Sequence, residues 1–436
     1  MAPESTIIAP ASAPGRGGIS IIRISGPASR TVAESLCGKL EEPWRFKRCS
    51  ITNKGGAVLD TGMVVFFKSP HSYTGEDVAE VHCHGNPRLV DLIVAEGVAF
   101  GARVAEPGEF TKRAYLNNKI DLAQAESVAD LIAAQTEEAA LAAHNSLSGK
   151  FSSDINDCID SLVASRIFIE ASLDFPEEET GEEGLNRVGL EIKNQLSFIE
   201  TSLSSAKKGV MVREGFGVVI VGPPNAGKST LLNALAQKDL AITSDVPGTT
   251  RDSIKVDLNL GGVVVELVDT AGLRKSPDNK IEEEGMKRAR SALEGANLVL
   301  CVFDVTKEEE IEPINKDTIK IFNKCDLLAV VPDTDDGEVF VSAETGLGLD
   351  NLVELILVKL GLGEETVLLS RRRHVVCLQE CLADLSNAVS SLEEGQGLEL
   401  VAESLLSAQN SLGRITRPVS SDDLLGEIFS EFCIGK

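Results

Sequence analysis

The chain is poor in aromatic residues: one Trp, two Tyr and 15 Phe amount to 4% of 436 residues. No run of 18 or more apolar residues occurs, which excludes a membrane-spanning helix of ordinary length. The first residues, MAPESTIIAPASAPGRGG, lack a basic segment followed by an apolar one. No secretory signal and a cytoplasmic location are therefore expected. Nine cysteines are scattered without CxxC spacing, which predicts reduced thiols and no disulfide framework. Cations are also in deficit, with 42 Lys and Arg against 67 Asp and Glu, a net charge of −25. That balance argues against non-specific nucleic-acid binding by the whole chain, because phosphate contacts need Lys and Arg.

The length suits roughly three domains, and 43% hydrophobic content suits a buried core. Charge is uneven: residues 1–117 hold 13 cations and 12 anions, the remainder 29 and 55. An anionic ligand is expected in the near-neutral first part, or in a site built from backbone amides. Residues 5–117 alternate short apolar runs with Gly, Pro and Asn turns. STIIAP, ISIIRIS, GMVVFFK and DVAEVHCHG read as strands; PASRTVAESLCG and PRLVDLIVAEGVAFGA read as helices, the second opened by Pro87. Residues 119–208 have Ala-rich helical spacing, broken by DFPEEETGEEG. From 215 to 360, GFGVVIVG, VVVELVD, NLVLCVFD, TIKIFNK and EVFVSA are near-continuous apolar runs, as in a parallel sheet buried on both faces. Residues 364–436 return to amphipathic helices. The expected fold is multidomain α/β. It comprises an α+β domain over 1–118, a helical domain begun by 119–208 and completed by 363–436, and between them an inserted domain over 209–362 with a mostly parallel sheet.

GPPNAGKS, Gly222 to Ser229, matches the phosphate-loop pattern GxxxxGK[ST], and it lies between an apolar strand and the helix STLLNALAQ, the required context. Glycines let backbone N–H groups curl around phosphates, and the helix N-terminus adds partial positive charge. Lys228 is expected on the β/γ-phosphates and Ser229 on Mg²⁺. DTAG follows, with Asp269 placed to hold Mg²⁺ through water and Gly272 to sense the γ-phosphate. In NKCD, Asp326 can accept two hydrogen bonds from the guanine edge, Asn323 can contact the base, and the Lys324 stem can pack on the ring. Alone, NKCD reads as a strand-end turn; in this order it reads as guanine specificity, completed by Ser342, Ala343 and Glu344. The inserted domain is thus a Ras-like P-loop G domain. Its GTP contacts are expected from Asn225, Ala226, Gly227, Lys228, Ser229 and Thr230, and from the switch Ser244, Asp245, Val246, Pro247, Gly248, Thr249 and Thr250. Further contacts are expected from Asp269, Thr270, Ala271 and Gly272, and from the guanine group just named. Thr250 is the expected Mg²⁺ and γ-phosphate threonine.

No arginine finger is obvious. The SDVPGTTRD switch with Asn225 in the phosphate loop is similar to that of potassium-dependent GTPases. This resemblance implies a K⁺ ion held by Asn225, Ser244, Val246 and Thr249 in the finger's place. A finger is worth about 10³–10⁵ in rate. The alternative is that Asn225 is a turn residue stabilising the loop.

The flanks narrow the class. TIIAPASAPGRGGISIIRISGPAS, SYTGEDVAEVHCHG, EPGEFTKRAYLNNKIDLAQAESVADLI, DFPEEE and the terminal CIGK resemble the MnmE (TrmE) family of tRNA-modification GTPases. That family belongs with the TrmE-Era-EngA-like potassium-dependent GTPases, and the resemblance covers essentially the whole chain. It implies that the first domain binds a tetrahydrofolate derivative, 5-formyl or 5,10-methylene, and mediates homodimerisation. By matching position the folate contacts are Arg23, Glu80, Lys119 and the terminal Lys436. Read alone, Arg23 is a strand-end cap and Lys119 a solvated helix residue. Glu282 falls where the family places a glutamate orienting the attacking water, beside Glu283 and Glu284. Cys433 is either a nucleophile towards the uracil ring or a structural, folate-shielding thiol. The implied partner is the flavoprotein MnmG, in a heterotetramer that binds tRNA mainly through the partner. The implied reaction sets an aminomethyl-type group, carboxymethylaminomethyl, at C5 of the wobble uridine.

The chain departs from the pattern at Asn86, where Gly is usual, and at Pro223, where Arg is usual. Between Asp304 and Thr318 only VTKEEEIEPINKD remains, too short for an ordinary parallel crossover helix. One sheet face is expected to lose cover there. His82 and His84 share a strand face but lack further zinc ligands. A ribosome-assembly switch GTPase and a non-catalytic scaffold are the other function classes. Folate binding discriminates against the first, and GTP turnover against the second.

Overall fold

Short β-branched runs bounded by Gly, Pro and Asn become the strands of an N-terminal sheet. These are β1 (Ile7–Pro10), β2 (Gly17–Ser25), β3 (Lys47–Thr52), β4 (Val58–Phe67), β5 (Val78–Gly85) and β6 (Arg103–Val104), ordered β3-β4-β5-β2-β1-β6. The computed structural model describes residues 5–174, 182–238, 255–260, 263–269, 293–307, 316–332, 337–362, 371–395 and 397–417, with Phe429, Phe432 and Gly435. The chain divides into two units. The first comprises Met1–Ala129, Leu147–Ser161 and Gln409–Lys436; the second comprises Asp130–Ser146 and Leu162–Ala408. The helical segments at 119–208 and 363–436 are therefore distributed over both.

In the first unit, alternation along β2 sends Ile22 and Ile24 to one sheet face. There they pack with Ile51, Val64 and Val81, under α1 (Ser29–Cys37) and α2 (Pro87–Ala99). Asn86 is the cap of α2, its side-chain oxygen accepting the Arg88 N–H at 3.0 Å with Pro87 behind it. Asn is a preferred cap, so a residue that departs from the family pattern has a local role. The opposite sheet face carries Ile7, Ala9 and Phe110, the last on α3 (Glu109–Leu116), with Tyr73 against them. Phe429 and Phe432 pack on Leu122 and Ala125 of α4 (Leu122–Ala133). Gly435 lies against the Pro10 carbonyl so closely that a side chain there would collide with it. Gly435 is thus seated on the end of β1.

The second unit holds helices α5 (Glu137–Leu147, to Ser146), the later half of α6 (Lys150–Asp174, from Leu162) and α7 (Glu182–Glu214). Its sheet comprises β7 (Phe216–Val221), β8 (Lys255–Leu260), β9 (Val263–Asp269), β10 (Leu298–Asp304), β11 (Thr318–Asn323) and β12 (Glu338–Val341). The order is β12-β11-β10-β7-β9-β8, parallel except for the β8–β9 pair. One face, including Val218, Leu300 and Ile321, packs on α8 (Lys228–Lys238) and α9 (Leu349–Lys359). The other face buries Val219, Val221, Val299 and Cys301 with Ala296. Two-sided burial is why these strands read as continuous apolar runs. Next come α10 (Arg372–Glu393), which packs along α7, and α11 (Leu398–Thr416), which belongs to this unit up to Ala408.

The shortened crossover leaves β10 and β11 in parallel register over six residue pairs. Residues 308–315 lie outside the described residues. On the face expected to lose cover, Phe303, Phe322 and Phe340 are half-buried and stack on one another at 5.8 and 5.0 Å across β10, β11 and β12. Such cross-strand aromatic pairs contribute about 0.2–1 kcal/mol each.

Candidate functional site

The phosphate loop leaves the carboxyl end of β7, between β9 and β10, and runs into α8. This is where an open α/β sheet binds ligands. Gly227 has φ +92°, and a Cβ there would strike the Asn323 amide, so the position requires glycine. Asn225, exposed, also has a positive φ of 65°, which Asn tolerates better than most residues. Lys228 Nζ donates to the carbonyls of Gly222 and Pro223, both at 2.9 Å. Pro223 thus contributes its backbone carbonyl to the loop.

The guanine motifs are tied to that loop. Asn323 Nδ2 donates to the Ala226 carbonyl at 2.9 Å, and its Oδ1 accepts the Ala343 N–H at 3.0 Å. Lys324, with φ +67°, donates to Asp304 Oδ2 at 2.6 Å and to the Asn225 carbonyl at 3.1 Å. Hydrogen bonds from Lys324 and Thr306 outweigh burial and hold the Asp304 carboxyl well below the usual carboxylate range. Asp326 is exposed in the one-turn helix Cys325–Leu327. Ser342 is fully buried, its N–H bonded to the Leu347 carbonyl at 2.9 Å, and Glu344 is exposed. Ser229 and Thr230 are exposed at the start of α8. The expected residues of the phosphate loop, NKCD and SAE are thus brought together. Asp269 closes β9. Ser244 to Thr250, Thr270, Ala271, Gly272, Glu282, Cys433 and Lys436 lie outside the described residues.

In the first unit, Arg23 and Glu80 are register partners on β2 and β5 and bond at 2.9 Å. The Arg23 guanidinium lies 4.9 Å from the Tyr73 ring centroid and 5.8 Å from that of Phe110. Burial pushes the Glu80 carboxyl up, but hydrogen bonding and charge from His82 and Arg23 prevail and hold it below its ordinary value. His82 Nε2 lies 3.6 Å from Glu80 Oε2, whereas His84 is bonded to Asp60 at 2.8 Å. Among the described residues no group of three or more His, Cys, Asp or Glu is placed to hold a metal. A cavity of about 330 Å³ opens beside Glu80, lined by Trp44, Phe67, His71, Ser72, Tyr73 and Val78. Lys119 reaches the loop that forms one wall, donating to the Pro70 carbonyl at 3.0 Å.

The SYTGE run anchors that loop. Tyr73 Oη shares a hydrogen bond with Thr111 at 2.8 Å. Thr74 and Glu76 both meet Ser25, at 2.7 and 2.6 Å. Glu76 also pairs with buried Arg113 at 3.1 Å, and Arg113 with Glu109 at 2.9 Å. The acids Glu109 of EPGEF and Glu76 of SYTGE therefore brace the pocket wall without lining the cavity. Tyr73, Phe67 and Trp44 were not legible as pocket residues, because the wall is assembled from four separate stretches of chain.

Two family models match the chain: "GTP-binding protein TrmE N-terminus" over residues 6–119 and "MnmE helical domain" over 122–433. Proteins described as tRNA modification GTPase MnmE from Francisella philomiragia and Francisella tularensis subsp. holarctica are 43% and 44% identical over 450 aligned residues, covering 99% of both chains. Among solved structures, Era from Aquifex aeolicus bound to GDP·AlF4⁻ is 27% identical, with a TM-score of 0.28, over 38% of this chain and 65% of that one. The G domain of the T. maritima FeoB iron transporter is 26% identical, with a TM-score of 0.25, over 33% and 98%. Whole-length identity together with the linked phosphate-loop and guanine motifs settles the class: the chain belongs to the MnmE family of tRNA modification GTPases, hydrolases acting on GTP.

Proposed function

We propose that this GTPase works with the flavoprotein MnmG to install a carboxymethylaminomethyl-type group at C5 of the wobble uridine of certain tRNAs. A one-carbon tetrahydrofolate held in the N-terminal pocket supplies the carbon. The observation that carries the nucleotide half is the bridge through Asn323, which fixes the phosphate loop, NKCD and SAE as one piece. With that piece rigid, exposed Asp326 reads the guanine edge while the loop amides cradle phosphates. Ser229 and the Asp269 position offer hard oxygen donors suited to Mg²⁺. The Asn225 amide oxygen suits K⁺. When bound, these ions offset charge developing on the phosphates. Lys228, now folded on loop carbonyls, has the reach to exchange them for phosphate oxygens. Thr250 and Glu282 are assigned to the γ-phosphate and the attacking water.

For the folate half, Glu80 is ionised and anchored by Arg23, an arrangement that accepts the guanidine-like edge of a pterin. Lys119 and Lys436 face the carboxylate tail in this reading. The four-part division at 118, 208 and 362 remains our assignment of domains.

The test is complementation. A strain lacking the gene should lose the modified wobble uridines, read by nucleoside mass spectrometry, and the intact chain should restore them. Lys228→Ala should fail to restore them. Cys433→Ser should also fail, with GTP turnover close to that of the intact chain. Full modification in the deleted strain would overturn the reading.

A further inference from the structure

Trp44 is the chain's only tryptophan, and it is placed at a cost. Its φ of +67° lies in the left-handed region, where a bulky side chain is a true outlier. The residue is 59% exposed, although tryptophan is highly buried on average. The conformation is held by a hydrogen bond from the Trp44 N–H to the Phe66 carbonyl at 2.8 Å. The indole meets the Phe67 ring edge-on, with centroids 4.7 Å apart and planes at 78°. Both rings line the cavity that Tyr73 and Glu80 also line. An aromatic ring held strained and exposed over a cavity with one anchored carboxylate fits a planar, polar-edged ligand. Strain of this kind persists where the surrounding structure over-determines it, most often at ligand sites.

We propose that Trp44 is a stacking residue for the pocket's ligand, covering the bicyclic ring of a reduced folate whose amino edge is held by Glu80. This rests on the folate reading above and adds to it a contact supplied by Trp44. Stacking gives affinity that depends on a flat π-face, whereas the carboxylate selects the hydrogen-bonding edge. Position 44 thereby sets how tightly the ring is held.

The full-length protein is titrated with 5-formyltetrahydrofolate, following equilibrium dialysis and the emission of the lone tryptophan in parallel. Binding should quench that emission along the same curve as dialysis. Trp44→Phe should bind within about three-fold of the wild type, and Trp44→Ala about ten-fold or more weakly. Trp44→Gly should bind as weakly as the Ala variant while its thermal midpoint stays level or rises, because glycine accepts the backbone angle. That pairing separates lost stacking from lost folding. Undiminished affinity in Trp44→Ala, or dialysis binding without quenching, overturns the role of Trp44 and leaves the folate reading standing. No binding to the wild type overturns both.

Discussion

Asn323 and Lys324 hold protein to protein. Asn323→Ala would leave the Ala226 carbonyl and the Ala343 N–H buried without partners, at about 1–3 kcal/mol each. Urea denaturation of this variant should show a loss of about 2–6 kcal/mol, with weakened GTP binding. Asp304 gives a pH signature. Its folded pKa lies below the unfolded value near ~3.9, so its stabilisation is complete above that pH and is lost as pH falls towards the folded value. Asp304→Asn should therefore be less stable than the wild type at neutral pH, and the gap should begin to narrow as pH falls below about 4 in acid-unfolding curves. Asn225 combines a positive φ with an exposed amide. If it holds K⁺, turnover should fall sharply in Na⁺ and Asn225→Ala should erase the difference. Equal wild-type rates in both salts would leave it as a turn residue.

At the scale of elements, the chain passes into and out of the G domain through two stapled segments. Buried Asp130 on α4 accepts from Arg213 near the end of α7 at 2.9 Å and from Arg371 just before α10 at 3.1 Å. Glu214 and Arg372, the next residues, pair at 2.8 Å. Arg371 is buried with its partner, and breaking such a pair costs about 3–5 kcal/mol. Asp130→Ala should destabilise the second unit by about 3 kcal/mol in chemical denaturation, with GTP affinity retained in the fraction that stays folded. The sequence did not reveal this staple, since its partners are separated by 83 and 241 residues. It did reveal every strand with a continuous apolar run. It missed β3, β6 and β8, because KRCSIT and KVDLNL mix polar and apolar positions and β6 has two residues. The phosphate loop and NKCD were legible because each is one short stretch whose chemistry is local. The Asn323 bridge and the aromatic pocket wall were not, because tertiary folding makes them.

For the whole molecule, the charge imbalance matters most. The first 117 residues are nearly neutral, whereas the rest carry the excess of 55 anions over 29 cations. Self-association is therefore expected through the N-terminal domain, where Ile19, Phe46, Val58 and Met63 are exposed at 65, 55, 62 and 42%. Light scattering should give twice the 46.4 kDa chain mass. A chain lacking residues 1–117 should be monomeric, and a dimer of that deletion would refute the assignment.

The packing of Gly435 on Pro10 sets a timetable for synthesis. The first strands leave the ribosome early, yet the segment that meets Pro10 lies at Gly435, far along the chain. At ~5–20 residues per second that interval is about 20–90 s. Throughout it, the Pro10 carbonyl that meets Gly435 and the α4 surface that receives Phe429 and Phe432 stay uncovered in the nascent chain. The first unit is thus begun before the G domain and completed after it, and the G domain, encoded between, has time to fold in the interval. A chain that terminates before Phe429 would hold every strand of the G-domain sheet while the α4 surface at Leu122 and Ala125 stayed bare.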